Sequence, residues 1–461
     1  MASRLPPSPS GYPFLQNAIH FARDPFAFVE DAVAECGDIY RMELPGIDDV
    51  FVFAHPEYFN RVLVTDVDAF GKTEDYRRAF GSGLLSVEGQ QWRRQREMLQ
   101  PLFYRDRIRD YTDQMVACTN RRLATWTDDE SRDMEAEMRD LTLEILFATL
   151  FGRRMAPGED QELREAADGL NEWFAPSSWM LPPWVPTPAR RRFNQSTKRL
   201  RREVRALLDD NKQENPPNTD AGGENSSVSN QRVPAESAVP DLLTQLQSTQ
   251  EADDAAQLTT EEIEDQLVTM VFAGHETTAA ALGFTWYLLA THPDICDRFH
   301  AELDTVLDGD PPTAEDLDDL EVTERIITEA LRLYPPVHTI PRRTKTDVEI
   351  GGYSIPAGHE LHLSIIHVHR DEQFYEEPLA FRPDRWTAEF EADLPDFAYA
   401  PFGGGRRSCI GREFALLEAK VVLATMGQEF RFDWERTGDL DLSPRVTTRT
   451  KDGIPLRIRR Q

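Results

Sequence analysis

The chain has 461 residues, of which 40% are hydrophobic and 29% are charged. These proportions are typical of a globular protein with a sizeable core, and they exclude collagen-like, disulfide-scaffold and wholly disordered classes. The net charge is -30, from 51 basic and 81 acidic residues, which argues against a nucleic-acid partner because phosphate binding needs a basic face.

The basic residues are almost all arginine, since only six of the 51 are lysine. Acid-rich, lysine-poor surfaces suit a cytoplasm at molar salt, where charge repulsion is screened over about 3 Å. We therefore predict a halophilic source and a cytoplasmic location. The four cysteines lie far apart without disulfide or metal-ligand spacing. The proline-rich start MASRLPPSPSGYPFL forms neither a signal peptide nor a membrane anchor, so we expect no membrane span.

In chain order, the pattern predicts one domain over residues 1–461 that is mainly α with a minor β region. The β signals are concentrated in Ile39–Phe53 and Val348–Leu363. A basic helical run, Arg190–Leu208, precedes residues 211–240, which are rich in Asn, Pro, Ser and Gly and poor in large apolar residues. We predict that residues 211–240 form a flexible loop insertion within the domain.

Residues Ile263–Leu289 predict a long helix. The segment is apolar, but polar residues in its middle indicate burial in a protein rather than in a membrane. Thr259, followed by acidic residues, is typical of a helix start, and the helix is expected to end at His292-Pro293.

The middle of this helix carries AGHETT, Ala273–Thr278. Glu276 and Thr277 are adjacent, so they point to different parts of the helix surface. Such a pair can open the helical hydrogen-bond ladder locally, admit water and relay protons. Taken alone, the motif is better explained by a salt-bridged core glutamate. A zinc-protease site is excluded because no second histidine follows at helical spacing.

The next pattern is E-x-x-R, formed by Glu329 and Arg332 on a predicted helix that ends at Tyr334-Pro335-Pro336. This spacing places the carboxylate and the guanidinium on one face of the helix. Alone, such a pair carries little information because most helices have similar pairs on their surfaces.

The strongest pattern is PFGGGRRSCIGREFALLEAKVVLA, residues 401–424, in which a glycine-rich loop leads to Cys409 and then to an amphipathic helix. Helix N–H groups and the helix dipole are expected to lower the pKa of the Cys409 thiol. Gly403–Gly405 would let the backbone approach a bulky flat partner, and Arg407 offers a charge for a carboxylate. The alternative is a buried structural cysteine. The pattern F-x-x-G-x-R-x-C-x-G is nevertheless complete.

With this motif in place, the sequence resembles the cytochrome P-450 family, of the soluble prokaryotic type, from about Pro13 to near the C-terminus. The resemblance implies the cytochrome P-450 fold and haem b with an axial thiolate from Cys409. It also implies monooxygenation of an apolar organic substrate by O2, with Glu276 and Thr277 handling protons. No dinucleotide or flavin motif follows Cys409, so we expect electrons from a ferredoxin or flavodoxin with its reductase. The alternatives are a peroxide-driven peroxygenase and a non-catalytic haem-binding protein.

The resemblance also assigns residues around the haem, whose two carboxylates need cations or donors. Trp92 and Arg96 lie on one helix face and are assigned to a carboxylate, and Arg342 is assigned to the same role with Arg343 as the alternative. The loop and helix positions assigned to the cofactor are Ala273, Phe402, Gly405, Arg407 and Gly411.

The remaining assignments are structural or substrate-facing. Glu329 and Arg332 match the buried structural pair of the family, with Arg385 as the third member. The substrate is expected to meet Thr73–Leu85, Val337–Ile340 (Val337 and His338 first), Ala273, Thr277 and Asn171–Pro188. The aromatic segment Asn171–Pro188 is interpreted as either a mobile lid or a loop pinned to the core.

Overall fold

The computed structural model describes residues 4–158, 161–174, 185–214, 242–243, 246 and 258–461. The predicted insertion 211–240 begins as the end of a helix that runs to Glu214, and its remainder lies outside the described residues. The single-domain organisation and the flexible insertion therefore stay predictions.

Helices make up most of the described chain. They are α1 Ala18–Arg23, α2 Pro25–Cys36, α3 Pro56–Asn60, α4 Glu74–Phe80, α5 Gly89–Leu99, α6 Arg105–Arg109, α7 Thr112–Leu123, α8 Met134–Leu150, α9 Gln161–Asp168, α10 Pro188–Glu214, α11 Thr260–Thr291, α12 Pro293–Leu307, α13 Glu321–Leu333, α14 Ile365–Val368, α15 Ala388–Asp393 and α16 Arg412–Gly427.

The strands form small sheets beside the helices. They are β1 Ile39–Met42, β2 Val50–Phe53, β3 Phe70–Gly71, β4 Ser131–Asp133, β5 Thr339–Thr344, β6 Val348–Ile350, β7 Tyr353–Ile355, β8 Glu360–Ser364, β9 Phe430–Trp434, β10 Leu442–Ser443, β11 Arg449–Thr450 and β12 Pro455–Arg460. The main sheet has the order β1-β2-β8-β5-β3, with β2 and β8 parallel and the other neighbours antiparallel. The expected mainly α architecture with a minor β region is confirmed.

Helix α11 confirms the long buried helix. Thr259 and Glu262 form a capping box at its start, and His292 ends it before Pro293. Helices α8, α10, α13 and α16 pack against it, so almost every side chain from Ile263 to Leu289 is buried. None of the helices described combines the length and the apolar character that crossing a bilayer requires.

A buried charge cluster fastens α13 to the chain that follows it. Both carboxylate oxygens of Glu329 accept hydrogen bonds from Arg332, at 2.8 Å each. Arg385 Nε donates to the same carboxylate at 2.9 Å, and Trp386 Nε1 donates at 2.8 Å. Arg332 in turn donates to the carbonyl of His369. The three predicted structural residues therefore meet, and the tryptophan joins them through its indole N–H.

Candidate active site

The loop before α16 is held in a fixed shape by its own backbone. The Cys409 N–H donates to the Phe402 carbonyl at 3.0 Å. Gly405 has φ +65°, and a Cβ there would lie 2.3 Å from the Leu63 carbonyl oxygen. Glycine is therefore required at position 405, because the turn has a positive φ and the backbone of Leu63 leaves no room for a Cβ atom. The sequence predicts that these glycines make room for a flat partner, whereas the requirement for glycine at position 405 is explained by its contact with the Leu63 backbone.

The Cys409 side chain opens into a cavity between this loop and α11. One wall carries Ala273, Gly274 and Thr277 of α11. Much of the other apolar lining comes from Leu84, Leu85, Phe103, Leu146, Leu150, Met270, Phe272, Val337, Ile340, Phe402, Phe414 and Val446. The expected Thr73–Leu85 region contributes Tyr76, Leu84 and Leu85 to the wall.

The pKa of the Cys409 thiol differs from the sequence-based expectation. Burial raises this pKa, and the opposing effects of the Gly411 N–H and of Arg96 are smaller. The predicted lowering by the helix start is therefore wrong for the protein alone, because desolvation by the apolar cavity dominates.

Positive charge collects at the cavity rim. Lys72, Arg96, Arg342 and Arg407 all line the cavity. Burial and the nearby Arg407 lower the pKa of Arg342 to about 10. The pKa of Lys72 falls well below its usual value through burial and through repulsion from Arg342 and Arg407. Arg407 Nε and Nη1 are buried without a hydrogen-bond partner, and its guanidinium lies 5.9 Å from the Trp92 ring centroid.

These cations fit a dianionic cofactor. Mutually repelling, partly desolvated cations are costly unless an anion joins them. The two carboxylates of haem b would supply that anion at the rim while Cys409 lies within the same cavity. Arg96 departs from the expectation in one respect, because its Nη1 donates to the Ser408 carbonyl at 2.7 Å and so also supports the cysteine loop.

The alternation of strand β5 separates Arg342 from Arg343. Arg342 is buried and lines the cavity above Cys409, whereas Arg343 is exposed and lines a second, outer cavity. Successive side chains of a strand point to opposite faces, so only one of the two can reach the rim. Of the two alternatives, the geometry favours Arg342.

Val337 and His338 separate in the same way. Val337 lines the cavity above Cys409, whereas His338 lines the outer cavity, where its ring lies 5.3 Å from that of Phe26. The assignment of both residues to the substrate stays a prediction, with Val337 beside Cys409 and His338 farther out. The outer cavity shares Tyr76, Thr339, Pro341 and Val446 with the inner one, so the two are contiguous.

Thr277 and Glu276 lie on different sides of α11. The Thr277 hydroxyl lines the cavity and donates to the Ala273 carbonyl at 2.8 Å. Helix α11 is continuous through this point, so the expected local opening of the ladder is not seen. The hydroxyl forms its hydrogen bond with a backbone carbonyl one helical turn earlier, and this bond requires no break in the helix.

Glu276 is fully buried away from the cavity lining and is ion-paired with Arg449 of β11. Asn171 Nδ2 donates to the same carboxylate at 3.3 Å, and His275 Nε2 lies 3.8 Å from it. Burial alone would raise the pKa of Glu276, but Arg449 and His275 outweigh burial and lower it. This is the salt-bridged core glutamate that the motif alone suggested.

Only the first residues of Asn171–Pro188 and its last few are described. Trp173 packs against Phe193, with ring centroids 5.0 Å apart, and lines the outer cavity. The described part is thus pinned to α10. Residues 175–184, which carry most of the proposed lid, lie outside the described residues.

Several cavity residues were missed by the sequence analysis. Lys72 is one of only six lysines in the chain, and apart from this scarcity nothing in the sequence marks it as a cavity residue. Leu146 and Val446 reach the cavity from α8 and from the loop before β11, and no local pattern marks them. A further contact holds the loop before Leu84 in place: the Ser82 N–H donates to Asp265 of α11 at 2.7 Å.

Comparisons with known proteins identify the family to which this chain is similar. The family model described as Cytochrome P450 matches residues 6–454. Cyclooctat-9-en-7-ol 5-monooxygenase of Streptomyces melanosporofaciens is 31% identical, over 92% of this chain and 88% of that protein. Pentalenene oxygenase of Streptomyces avermitilis is 32% identical, over 94% of this chain and 92% of that protein.

Among solved structures, the haem domain of cytochrome P450DA superposes with a TM-score of 0.84 at 26% identity, covering 100% of this chain and 99% of that one. The predicted cytochrome P-450 fold is thereby confirmed. Members of this family bind haem b through a cysteine thiolate, react with O2 and receive electrons from a redox partner. The chain belongs to the cytochrome P450 family and is a haem-thiolate monooxygenase.

Proposed function

We propose that this monooxygenase holds its haem through Cys409 and through the cations at the cavity rim. The observation that supports this most is the presence of the Cys409 thiol and three desolvated cations, Lys72, Arg342 and Arg407, in one apolar cavity. When bound, haem b with a thiolate ligand activates O2 so that one oxygen atom enters the substrate and the other leaves as water. Trp92 and Arg96 complete the rim.

Thr277 is proposed to handle protons at the cavity, and Glu276 is proposed as the next residue on the proton path. Thr277 lines the cavity beside Ala273 and Gly274, as do Thr269 and Thr278 of the same helix, and its hydroxyl donates to the Ala273 carbonyl. Glu276 is held as a carboxylate by Arg449, so it must first accept a proton, with this ion pair loosened, before it can pass one to the cavity side. Thr277 is accordingly the residue that positions the proton at the reacting centre.

The substrate is proposed to be an apolar, uncharged cyclic hydrocarbon or its simple alcohol. Most of the cavity lining is apolar, with threonines of α11 among it, and Lys72, Arg342 and Arg407 lie close enough together to repel one another. Two relatives carry names that specify compounds of this type, pentalenene and cyclooctat-9-en-7-ol. An apolar lining favours uncharged ligands, because a charged group buried against it would need a partner.

A spectral-shift titration tests the substrate class. Purified protein should give a ligand-induced Soret shift with cyclic terpenoid hydrocarbons and their mono-alcohols, and a weaker one with straight-chain fatty acids of equal carbon number. Turnover should then require a reductase system. Product formed with hydrogen peroxide alone, at the same rate, would favour the peroxygenase instead. A preference for fatty acids would overturn the proposed substrate class.

The electron donor is proposed to be a ferredoxin or flavodoxin with its reductase. The elements that flank the Cys409 loop present exposed arginines, Arg93 on α5 and Arg412 at the start of α16. A donor with an acidic surface would be complementary to these arginines on an otherwise acidic protein.

Replacing Arg342 with glutamine should weaken haem retention. The variant loses a buried charge at the rim, where a charge-assisted hydrogen bond contributes about 1.5–3 kcal/mol, so haem loss should be about tenfold faster or more. The measurement is transfer of haem to excess apomyoglobin. Arg343→Gln is the matched control and should retain haem like the wild type. Equal haem loss from both variants would remove Arg342 from the cofactor site.

The salt adaptation and the cytoplasmic location stay predictions, and the first can be measured directly. With a net charge of -30, repulsion should weaken the fold when screening is removed. We expect the melting temperature to rise across a potassium chloride series from low to molar concentration. A melting temperature that stays flat or falls would reject a halophilic origin.

A further inference from the structure

The outer cavity contains a histidine with one unused ring nitrogen. His338 lies on the wall of this cavity, and its Nδ1 is 3.3 Å from the hydroxyl oxygen of Thr448. Its Nε2 has no hydrogen-bond partner among the described residues, although it retains accessible surface. A polar atom enclosed in a cavity is unfavourable unless water or a ligand bonds to it. Nε2 of His338 is therefore available for a ligand.

The contacts of Thr448 decide which ring nitrogen of His338 carries the proton. The Thr448 hydroxyl oxygen is 3.1 Å from the Pro335 carbonyl, which can only accept a hydrogen bond. If the hydroxyl donates to that carbonyl, its oxygen is free to accept from a protonated Nδ1. The opposite arrangement would leave oxygen lone pairs facing each other. The tautomer with the proton on Nδ1 makes both contacts favourable and leaves Nε2 as an acceptor.

The imidazole of His338 is neutral near neutral pH. Burial lowers the pKa of His338 to about 3, and the nearby His362 adds to this effect. Nε2 therefore presents a lone pair to the cavity and not an N–H group. Such a nitrogen accepts a hydrogen bond from a hydroxyl group, but it offers nothing to a ketone, an ether or a hydrocarbon.

Other polar side chains on the same wall are already bonded within the protein. His362 Nε2 lies 2.9 Å from Glu360 Oε1, and the Thr339 hydroxyl donates to the Leu363 carbonyl at 3.1 Å. These contacts occupy the polar atoms concerned. His338 differs from these neighbours because one of its ring nitrogens is left for a ligand.

A compact ligand held by His338 would also reach the cavity above Cys409. The preceding residue, Val337, lines that inner cavity, and consecutive Cα atoms are only about 3.8 Å apart. Thr339 and Val446 line both cavities. One molecule can therefore place a polar end at His338 and its hydrocarbon body in the inner cavity.

We propose that His338 binds the hydroxyl group of an alcohol substrate, and that Thr448 is the positioning residue that fixes the tautomer. The proposal rests on the proposed substrate class and deepens it by selecting the mono-alcohol over the parent hydrocarbon. With the hydroxyl in the outer cavity, the part of the molecule nearest Cys409 is hydrocarbon. A C–H bond there becomes C–OH, while the second oxygen atom of O2 leaves as water with two electrons and two protons from the donor system and solvent.

Ligands that share one carbon skeleton test the proposal, namely menthol, menthone and p-menthane. Their binding to the haem-loaded protein is measured by the Soret shift and by isothermal titration calorimetry. Wild type should bind menthol about three- to tenfold more tightly than menthone, which is the gain from one hydrogen bond between neutral groups. His338→Phe keeps an aromatic ring without the acceptor. It should lose this preference and bind p-menthane within about twofold of wild type.

Variants of Thr448 test the positioning role without altering the contact with the ligand, because Thr448 lines neither cavity. Thr448→Val removes the acceptor for Nδ1, so the proton can move to Nε2 and menthone should gain affinity relative to menthol. Thr448→Ser keeps the hydroxyl and should restore the preference for menthol. Thr447→Val is the matched control, since the Thr447 hydroxyl is buried without a hydrogen-bond partner in the described part of the chain. It should leave the preference unchanged.

A preference for menthol that survives His338→Phe would overturn the proposal, and so would an equal loss of affinity for p-menthane, which would show that His338 only packs. An unchanged preference in Thr448→Val would overturn the positioning role. If neither menthol nor p-menthane binds to wild type, the proposed cyclic substrate class fails and the hydroxyl site fails with it. If both bind but wild type does not prefer menthol to menthone, only the hydroxyl site fails.

Discussion

Replacing Glu329 with glutamine should lower the free energy of unfolding by about 3–5 kcal/mol, because it leaves Arg332 and Arg385 buried without their counter-charge. Glutamine keeps the volume of the side chain, so the loss reports the charge and not a cavity. The measurement is denaturant unfolding followed by haem absorbance and circular dichroism. The same variant should be purified with less than the normal haem content, since the cluster fastens α13 to the chain before the cysteine loop.

The pH dependence of this effect has a defined sign. Burial acts to raise the pKa of Glu329, but hydrogen bonds and charges from Arg332, Arg382 and Arg385 lower it. A carboxyl whose pKa is lowered on folding stabilises the fold fully above its unfolded value, about 4.3, and this contribution is lost as the pH falls through the folded pKa. The difference between wild type and Glu329→Gln should therefore be constant near neutrality and shrink in acid.

Glu324→Gln is the matched control on the same helix. Glu324 is exposed and pairs at 2.7 Å with the partly buried Lys420, and an ion pair whose carboxylate is exposed to solvent contributes about 1 kcal/mol or less. A Glu329→Gln variant that unfolds like Glu324→Gln would show that the buried cluster does not stabilise the fold.

Replacing Thr277 with alanine should slow product formation by about 10²-fold or more, since a positioned proton donor typically contributes 10²–10⁴-fold. Haem content and substrate-induced spectral shifts should remain normal, because the hydroxyl bonds only to the Ala273 carbonyl of its own helix. Electrons should be diverted to hydrogen peroxide or excess water. Product, peroxide and reductant consumed are measured in one assay.

Two variants make the Thr277 result specific. Thr277→Ser keeps a hydroxyl and should restore most of the coupling between reductant and product. Thr285→Ala removes an equivalent hydroxyl on the same helix, bonded to the Ala281 carbonyl at 2.7 Å, and should be neutral because Thr285 does not line the cavity. Normal coupling in Thr277→Ala would show that Thr277 only packs in the helix, and the proton path would then have to run through ordered water or His275.

Patterns that are local in sequence were predicted correctly. The apolar run with its threonine cap predicts both ends of α11 to within a few residues. The glycine-rich loop predicts the start of the helix after Cys409. The sequence does not predict strand β5, because Pro341, Arg342 and Arg343 interrupt the alternation of apolar and polar residues that marks a strand.

Properties that depend on tertiary packing could not be predicted in this way. The pKa of Cys409 depends on burial in the cavity, which outweighs the helix start that the sequence shows. The ionisation and direction of Glu276 depend on Arg449, a partner more than 170 residues away along the chain. The selection of Arg342 over Arg343 needed the orientation of β5 in the sheet.

The absorption spectrum of the reduced protein bound to carbon monoxide tests the central claim most directly. Wild type should show the Soret band that is specific for a thiolate ligand. Cys409→Ser should lose that band, while Cys36→Ser, at a free cysteine outside the cavity, should keep it. A Cys409→Ser protein that retains the thiolate band would show that another residue binds the iron and would contradict the site described for this enzyme.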